Sequence, residues 1–433
     1  MNEVSVGIMG LVVVLALFLT GIELGFAMAL VGFLGFSYIV STKAALNLLA
    51  KDVFDVFATY GFTVIPLFIL MGQIAFNAGI ARRLYHTSYK FVGHIPGGLA
   101  MATVGGAAAF GAITGSSPAT AATFASVAVP EMDRYGYDKK LSAGIVASVG
   151  TLGSLIPPSV TLIVYGIITE QSIGRLFLAA VFPGLIITLF LFSIVYGWCR
   201  INPSLGPKGE KSNWKERIIS LKDVIWPIGI FIIVIGGLTW GFFTPTEAGS
   251  IGTFAVLLIS VAKKDINFNG FLKSVAEALR TACMVLVLIA GSTIFGHFLV
   301  VTKIPMLAAE WIAGLPYPHF LIMIFILIIY EIGGSFIDDL AFMVLATPIF
   351  FPVIIKLGYD PIWFGVILHI FVMIGCLIPP VAINVFVVKN ITKIPFGVIY
   401  RGVLPFLVAL ILCAAILFIF PQIALFLPSV LMR

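Results

Sequence analysis

The stretch Gly115-Ser116-Ser117-Pro118-Ala119-Thr120 is a polar interruption inside otherwise apolar sequence. The apolar arms around it, residues 97–113 and 121–129, are each shorter than the roughly 20 residues that a helix needs to cross a bilayer. Two short arms around a Gly-Ser-Pro tip predict a re-entrant hairpin over residues 97–132. Because lipid cannot satisfy the backbone groups of such a tip, we expect it to face protein or a water-filled cavity, as a binding site would.

The composition around this stretch is that of a polytopic helical membrane protein. Of the 433 residues, 61% are hydrophobic and only 10% are charged, which excludes an ordinary soluble protein. No polar segment is long enough for a soluble domain, and no Walker A, HExxH or GxSxG motif in a suitable context supports ATP hydrolysis or proteolysis. The four cysteines show no spacing typical of disulfides or zinc sites. They are Cys199, Cys283, Cys376 and Cys413.

The second half of the chain repeats landmarks of the first half at a constant distance. Each landmark recurs 222 residues later, which predicts an internal structural repeat. The landmarks are Pro130 and Pro352, Gly-Tyr-Asp at 136–138 and 358–360, Gly153 and Gly375, and Pro157-Pro158 and Pro379-Pro380.

The repeat divides the chain into two units joined by its most polar stretch. We predict an all-α protein with a first repeat at residues 1–199, a cytoplasmic linker at 200–223 and a second repeat at 224–433. Each repeat is expected to hold five membrane spans, one hairpin, one broken helix and amphipathic arm helices. The second hairpin is predicted over residues 320–352. The broken helices are predicted at 141–169 and 363–388, because a Pro-Pro pair cannot continue a regular helix.

In detail, the first spans of the second repeat are expected at 224–243 and 249–262. An amphipathic arm at 264–280 and a separate span at 281–300 follow, and residues 403–426 form the last span.

The basic residues predict the orientation of the two repeats. Five spans and a hairpin in each half place the second repeat in the opposite orientation, so the repeats are inverted. Nineteen of the 25 Lys and Arg residues lie in segments placed inside, at 80–97, 133–140, 200–224, 263–280 and 389–401. This agrees with the positive-inside rule and puts both termini outside. The six outside are Lys43, Lys51, Arg175, Lys303, Lys356 and Arg433.

Two tips and two broken helices that meet in the membrane predict a site for an ion and a solute. Unwound carbonyls can hold a small hard cation such as sodium, and helix N-termini favour an anion. The expected cation donors are Gly111, Gly115, Ser116 and Gly153, then Gly333, Phe336 or Ile337, Asp338 and Gly375. The expected substrate contacts are Ser117, Thr120, Pro158, Ser159, Asp339, Pro380 and Asn384.

Acidic residues at membrane depth are costly and usually functional. We therefore favour a role in the site for Asp338 and Asp339, with helix capping near water as the alternative. Glu331, on the first arm of the second hairpin, remains open between the two kinds of role.

Other ionisable residues fit structural roles better. His297 and His369 lie within predicted spans, and we favour hydrogen-bonded histidines inside the bundle over a proton relay. Glu23 and Glu247 lie in matching short turns, where capping of the next helix is the expected function.

Four motifs resemble the large membrane subunit of TRAP (tripartite ATP-independent periplasmic) transporters, over essentially the whole chain. They are GAITGSSPATAATFASVAVPEM (111–132), GSLIPPS (153–159), FFTPTEAG (242–249) and GCLIPP (375–380). The resemblance implies a sodium-driven elevator in the bacterial inner membrane, in which a substrate-carrying unit slides against a scaffold. A small membrane subunit of four helices and a periplasmic binding protein for an organic acid, often a C4-dicarboxylate or a sialic acid, are the implied partners.

Two features refine what the resemblance implies. The chain begins with its first scaffold helix, so the small subunit is expected to be a separate polypeptide. The tips of superfamily relatives carry Ser-Asn-Thr, whereas these read Gly-Ser-Ser-Pro and Ile-Asp-Asp. Cation binding by backbone carbonyls is therefore expected more than binding by side chains.

The sequence thus predicts a sodium-coupled symporter for an organic anion. The first alternative is a channel, which would conduct without a soluble partner. A membrane-embedded enzyme is the second, and no spacing of nucleophile and base supports it. The Lys and Arg residues serve topology, and no nucleic acid is expected as a partner.

Overall fold

The computed structural model describes residues 2–432, which form α-helices, one 3-10 turn at Tyr60–Thr63 and loops, without strands in that range. The all-α prediction is confirmed. Met1 and Arg433, the latter one of the six predicted outside cations, lie outside the described residues. The first-half helices are α1 (Glu3–Leu19), α2 (Leu24–Ile39), α3 (Thr42–Ala58), α4 (Val64–Asn77), α5 (Ile80–Val92), α6 (Gly98–Thr114), α7 (Ser117–Arg134), α8 (Lys139–Leu155), α9 (Val160–Ile168) and α10 (Ile173–Ile201).

The second half contains ten further helices in a similar order. They are α11 (Trp214–Thr239), α12 (Pro245–Ala262), α13 (Phe268–Val301), α14 (Ile304–Ala313), α15 (His319–Phe336), α16 (Asp339–Lys356), α17 (Pro361–Gly375), α18 (Ile383–Thr392), α19 (Phe396–Ile419) and α20 (Gln422–Leu431). Within residues 2–432, eight helices are long and apolar enough to cross a membrane, and nine if α8 and α9, bent by 43°, form one span. The chain is therefore a multi-pass membrane protein, while five spans in each half remains a prediction.

Both predicted hairpin tips are breaks between two helices. At the first tip, Gly115 has a φ of 63° and ends α6, in the left-handed region that favours glycine. Ser116 then caps α7 by accepting from the Ala119 N–H. At the second tip α15 ends at Phe336 and α16 begins at Asp339. Helices α7 and α16 begin and end 222 residues apart, as the repeat predicts, whereas the inversion of the halves remains a prediction.

Both predicted broken helices are interrupted at their Pro-Pro pairs. Helix α8 ends at Leu155 and α9 begins at Val160, while α17 ends at Gly375 and α18 begins at Ile383. Each break is held against the tip of its own half by the backbone. The Val160 N–H donates to the Gly115 carbonyl at 3.4 Å, and the Val381 N–H donates to the Ser335 carbonyl at 3.1 Å.

Two predicted boundaries are wrong. Residues 268–301 form one helix of 34 residues, because neither Gly nor Pro interrupts the sequence where an arm at 264–280 was expected to end. The predicted last span, 403–426, instead lies in α19, which starts earlier, and in α20, which begins after Pro421. Within the predicted linker 200–223, residues 202–213 form a loop and α11 begins at Trp214.

Two groups of helices are here called the scaffold and the hairpin unit, and α3, α5, α10, α14, α19 and α20 belong to neither. The scaffold consists of α1, α2, α4, α11, α12 and α13, and the hairpin unit consists of α6–α9 and α15–α18. Glycines allow the scaffold helices α2 and α13 to approach closely. A Cβ on Gly25 would lie 2.8 Å from the Leu288 Cα, and one on Gly32 would lie 2.8 Å from the Phe295 Cα.

The arm helix α3 contacts the scaffold through the side chains of Asp52 and His297. The His297 Nε2 on α13 lies 3.5 Å from the Asp52 Oδ1 on α3. Asp52 is buried, and this burial raises the pKa of its carboxyl against the opposing effect of His297. His297 is therefore a partnered histidine, as predicted.

The linker loop, residues 202–213, is fastened to the foot of the first hairpin. The Gly97 N–H donates to the Gly206 carbonyl at 2.9 Å. The Tyr137 hydroxyl accepts from the Leu99 N–H at 3.1 Å and donates to the Pro207 carbonyl at 2.9 Å. The loop and the hairpin foot therefore form one packed unit.

Candidate functional site

A cavity of about 850 Å³ lies between the two hairpin tips and the scaffold. Its wall includes the first residues of four helices, namely Ser117 of α7, Val160 of α9, Asp339 of α16 and Ile383 of α18. Residues at the carboxyl ends of three helices also line it, namely Thr114 of α6, Ser154 of α8 and Phe336 of α15.

These helix ends determine the electrostatics of the cavity. The first N–H groups of a helix have no partner within the helix and carry a partial positive charge, while the last carbonyls carry a partial negative charge. One cavity therefore offers groups that stabilise an anion and groups that stabilise a cation. Among the described residues that line it there is no Lys, Arg or His, so the helix ends, the hydroxyl groups and the Gln73 amide are the available partners of an anion.

The predicted cation donors of the first half lie close together. A Cβ on Gly153 would lie 2.9 Å from the Ser116 carbonyl oxygen and would collide with the Thr120 Oγ1. A Cβ on Gly111 would lie 2.8 Å from the Leu152 carbonyl oxygen and 3.1 Å from the Gly153 Cα. The first tip and the first break are thus in backbone contact.

The second tip and the second break approach each other in the same way. A Cβ on Gly375 would lie 2.6 Å from the Gly334 carbonyl carbon and 2.7 Å from the Ser335 N. Gly333, in contrast, packs against the ring of Phe342, which occupies the position equivalent to Thr120. The second half therefore lacks the hydroxyl that the first half places beside its break.

The two aspartates at the second tip both line the cavity. Asp339 is buried, and its Oδ1 accepts from the Leu340 N–H at 2.9 Å. Asp338 precedes the first residue of α16, but its side chain makes no capping hydrogen bond. Helix capping alone therefore does not explain why both Asp338 and Asp339 are present. Two carboxylates at this position favour the binding of a cation.

The predicted site residues divide into those that line the cavity and those that support its wall. Gly115, Ser116, Ser117, Phe336, Asp338 and Asp339 line it. Gly111, Thr120, Gly153, Pro158, Ser159, Gly333, Gly375, Pro380 and Asn384 do not.

Ser117 and Asn384 join the two halves behind the first tip. Both are buried. The Asn384 Nδ2 donates to the Ser117 Oγ at 2.9 Å and to the Ala147 carbonyl at 3.2 Å. Ser159, also buried, caps α9 by accepting from the Leu162 N–H at 3.2 Å. In this conformation Asn384 and Ser159 act on the backbone around the cavity, where a contact with substrate had been predicted.

His369 is hydrogen-bonded inside the bundle, as predicted, but through only one of its two ring nitrogens. Its Nε2 lies 3.2 Å from the Ser154 Oγ. Its Nδ1 is buried and has no partner among the described residues.

The scaffold wall of the cavity carries polar residues that the sequence did not reveal. Gln73 and Glu277 line the cavity. The Asn77 Nδ2 donates to the Glu277 Oε2 and to the Ser274 Oγ, both at 3.0 Å. Polar residues three or four positions apart in α4 and α13 were the only available signal, and it was weak.

The two glutamates of the matching turns differ. Glu247 forms a capping box with Thr244, as predicted. Glu23 makes no capping hydrogen bond and lines the cavity, so the capping prediction is wrong for Glu23.

Comparison with known proteins identifies the family. The model of the DctM component of the tripartite ATP-independent periplasmic transporter matches residues 11–423. The chain belongs to this family. The predicted resemblance is confirmed, and the chain is one component of an ATP-independent transporter with three parts.

Individual relatives agree with this assignment. The C4-dicarboxylate TRAP transporter large permease DctM of Pseudomonas aeruginosa is 35% identical over 88% of this chain and 89% of its own length. The sialic acid TRAP transporter large permease SiaM of Vibrio cholerae is 31% identical over 96% of both chains. Both are named as permeases, so the prediction that the chain is not an enzyme is confirmed.

A solved structure shares the fold. The crystal structure of the Alcanivorax borkumensis YdaH transporter aligns with a TM-score of 0.64 at 12% identity, covering 87% of this chain and 88% of that chain. At this identity the similarity extends to the fold alone.

Proposed function

We propose that the chain carries a small organic anion across the bacterial inner membrane by symport with sodium. The observation that supports this most directly is the cavity lined by the first residues of four helices and the carboxyl ends of three. Helix N-termini stabilise the anion and carbonyl ends stabilise the cation. The anion and the cation therefore bind side by side, which makes each favour the other.

Two sodium positions follow from the contacts between tips and breaks. The first is surrounded by backbone groups of Gly111, Gly115, Ser116 and Gly153. Gly333, Phe336, Asp338 and Gly375 surround the second, where the Asp338 carboxylate adds charge. Within residues 2–432 no group of three or more His, Cys, Asp or Glu side chains is suited to hold a metal ion, so carbonyl oxygens are the main donors, as hard cations prefer.

The substrate class follows from the cavity and the relatives. A cavity of about 850 Å³ is in the range that holds small molecules. The two relatives described above are named for C4-dicarboxylates and for sialic acid, both organic acids. Ser117 and Asp339 at the cavity wall, with Thr120, Pro158, Ser159, Pro380 and Asn384 behind it, shape the substrate site.

Transport requires that the site open alternately to each side, and the division of the helices supports an elevator movement of the hairpin unit along the scaffold. The cavity reaches Gln73, near the end of α4 that leads into α5. It also reaches Glu277, in the first part of α13, the helix that follows α12. The distribution of basic residues favours the cytoplasm for this side and the periplasm for both termini. The structure then corresponds to the state open to the cytoplasm.

The partners are a small membrane subunit of four helices and a periplasmic binding protein that delivers the acid. The tripartite nature of the family supports both partners.

Uptake into proteoliposomes tests the proposal. The complex is reconstituted with its binding protein, and a labelled C4-dicarboxylate and a labelled sialic acid are offered in separate reactions. We expect accumulation of one of them under an inward sodium gradient, and no effect of added ATP.

An equal potassium gradient is the control. Equal accumulation in sodium-free buffer would contradict the sodium coupling. Flux that does not saturate with the acid and needs no binding protein would identify a channel instead.

A further inference from the structure

We propose that His369 is a positioning residue that fixes Ser154 and the end of α8 beside the first sodium position, an inference that rests on the proposed sodium symport. His369 lies on α17 and is 2% exposed, and Ser154 lies on α8 and is 1% exposed. Their side chains are 3.2 Å apart, across 215 residues of sequence. The bond therefore ties the broken helix of one half to the broken helix of the other.

The hydrogen-bond pattern assigns a direction to this contact. The Ser154 Oγ also lies 3.2 Å from the Thr151 carbonyl, to which it donates. A hydroxyl has one proton, so Ser154 accepts its second hydrogen bond from the Nε2–H of His369. The Nδ1 is then a bare acceptor, in agreement with its lack of a described partner. This pattern assigns the neutral Nε2–H tautomer.

Ser154 lies beside the backbone groups that are proposed to bind the first sodium ion. It follows Gly153, whose backbone lies against the Ser116 carbonyl, and it lines the cavity. It belongs to the last turn of α8, where carbonyls lack the partners found inside a helix. Cation and substrate sites tolerate displacements of only about 0.5 Å. A bond that holds this turn therefore contributes to sodium affinity without contact between His369 and the ion.

The second half has no equivalent of this bond. The residue 222 positions after Ser154 is Cys376, and the residue 222 positions before His369 is Ala147. The hydrogen bond between His369 and Ser154 therefore supports the first sodium position only. Its loss should weaken sodium binding without removing the second position.

Thermal denaturation of the purified membrane complex measures the effect with sodium chloride as the probe. A ligand that binds the native state raises the melting temperature with its concentration. The complex is titrated with NaCl at constant ionic strength, with KCl making up the difference. The half-saturating sodium concentration is read for the natural protein and for each variant.

Two isosteric substitutions separate the two ring nitrogens. Glutamine places an amide N–H near the Nε2 position, whereas asparagine places one near Nδ1. We expect His369→Asn and Ser154→Ala to raise half-saturating sodium about fivefold to tenfold, as the loss of one buried hydrogen bond allows. His369→Gln should stay within about twofold. The double variant that combines H369N with S154A should be no worse than either single variant, because both substitutions remove the same bond.

His319→Asn, the same change at an exposed histidine, is the matched control. If sodium does not stabilise the natural protein more than potassium does, the proposed sodium symport itself fails. If sodium stabilises it but H369N and S154A lower the melting temperature equally at every sodium concentration, His369 is merely structural and the inference is overturned. If H369N does not fold, the half-saturating sodium concentrations of S154A and H369Q are compared in the same way.

Discussion

Gly153 lies where the first tip meets the first break, and its lack of a side chain is what allows them to touch. We predict that Gly153→Ala weakens or abolishes sodium-dependent uptake. A methyl group there would lie 2.6 Å from the Thr120 Cβ and 2.9 Å from the Ser116 carbonyl oxygen. Such overpacking costs about 1–3 kcal/mol, enough to reduce sodium affinity about tenfold. Sodium-dependent uptake in proteoliposomes measures the change.

Gly197→Ala is the matched control for this variant. A Cβ there meets nothing within 4 Å, so uptake should remain at the natural level. Natural sodium dependence in Gly153→Ala would contradict the contact between tip and break.

Asn384 holds the first tip from the other half of the chain. We predict that Asn384→Ala destabilises the protein by about 2–3 kcal/mol, because a buried hydroxyl and a buried carbonyl lose their partner. These groups are the Ser117 hydroxyl and the Ala147 carbonyl. Thermal denaturation measures the loss. Asn213→Ala, at an exposed residue whose side chain caps nothing, is the control, and an equal melting temperature of the two variants would refute this role.

At the residue scale, the sequence revealed the tip and not its partners. Gly115 and Ser116 were predictable because glycine, serine and proline interrupt an apolar run. The pairing of Ser117 with Asn384 spans 267 residues, and no local pattern encodes a contact over that distance. Gln73 and Glu277 were missed because polar residues three or four positions apart in α4 and α13 give only a weak signal.

At the element scale, breaks were easier to predict than continuity. The Pro-Pro pairs predicted both interrupted helices, since proline removes a backbone donor and obstructs the helix. The unbroken α13 was missed because amphipathic and apolar stretches look like separate elements even when nothing stops the helix between them. Helix α20 was missed because Pro421 falls inside an apolar run that reads as one span.

The linker loop is an element whose structural role can be tested alone. We predict that Tyr137→Phe loosens it, because one hydroxyl bonds both the hairpin foot at Leu99 and the loop at Pro207. Burial raises the pKa of Tyr137, so its hydroxyl keeps its proton at neutral pH and in mildly alkaline buffer. The loss should be about 1–2 kcal/mol, with faster tryptic cleavage after Lys208 or Lys211.

Tyr38→Phe, at an exposed tyrosine, is the control for this change. Cleavage of Tyr137→Phe at the natural rate would show that the loop is held by other contacts.

At the scale of the whole molecule, the proposed topology predicts which side the cavity opens to. Thr281, an exposed residue of the cavity wall, should react as cysteine with a membrane-impermeant maleimide from the cytoplasmic side only. The background carries Cys283→Ser, since the other three cysteines are buried. Inside-out and right-side-out vesicles give the comparison.

Tyr317→Cys serves as the control for sidedness, because the foot of the second hairpin is predicted outside. Labelling of Thr281→Cys from the periplasmic side would reverse the proposed orientation.

The two halves of the molecule have helices in a similar order but differ in residues at the tips and breaks. The constant shift of 222 residues predicted the order of hairpin and broken helix in each half. It could not predict that the second half has Phe342 at the position of Thr120, or that the first half has Leu162 at the position of Asn384. Residues near the site can therefore differ between the two halves while the order of the helices stays the same. Under the proposed sodium symport, these differences predict two sodium positions of unequal affinity.

The central claim is that sodium crosses the membrane together with the organic acid, and simultaneous counting of both tests it most directly. Proteoliposomes that contain the complex and its binding protein receive sodium-22 and the labelled acid in one reaction. We predict that sodium-22 entry rises with acid entry in a fixed ratio and falls to background when the acid is omitted. Accumulation of the acid with sodium-22 entry at background would contradict the claim.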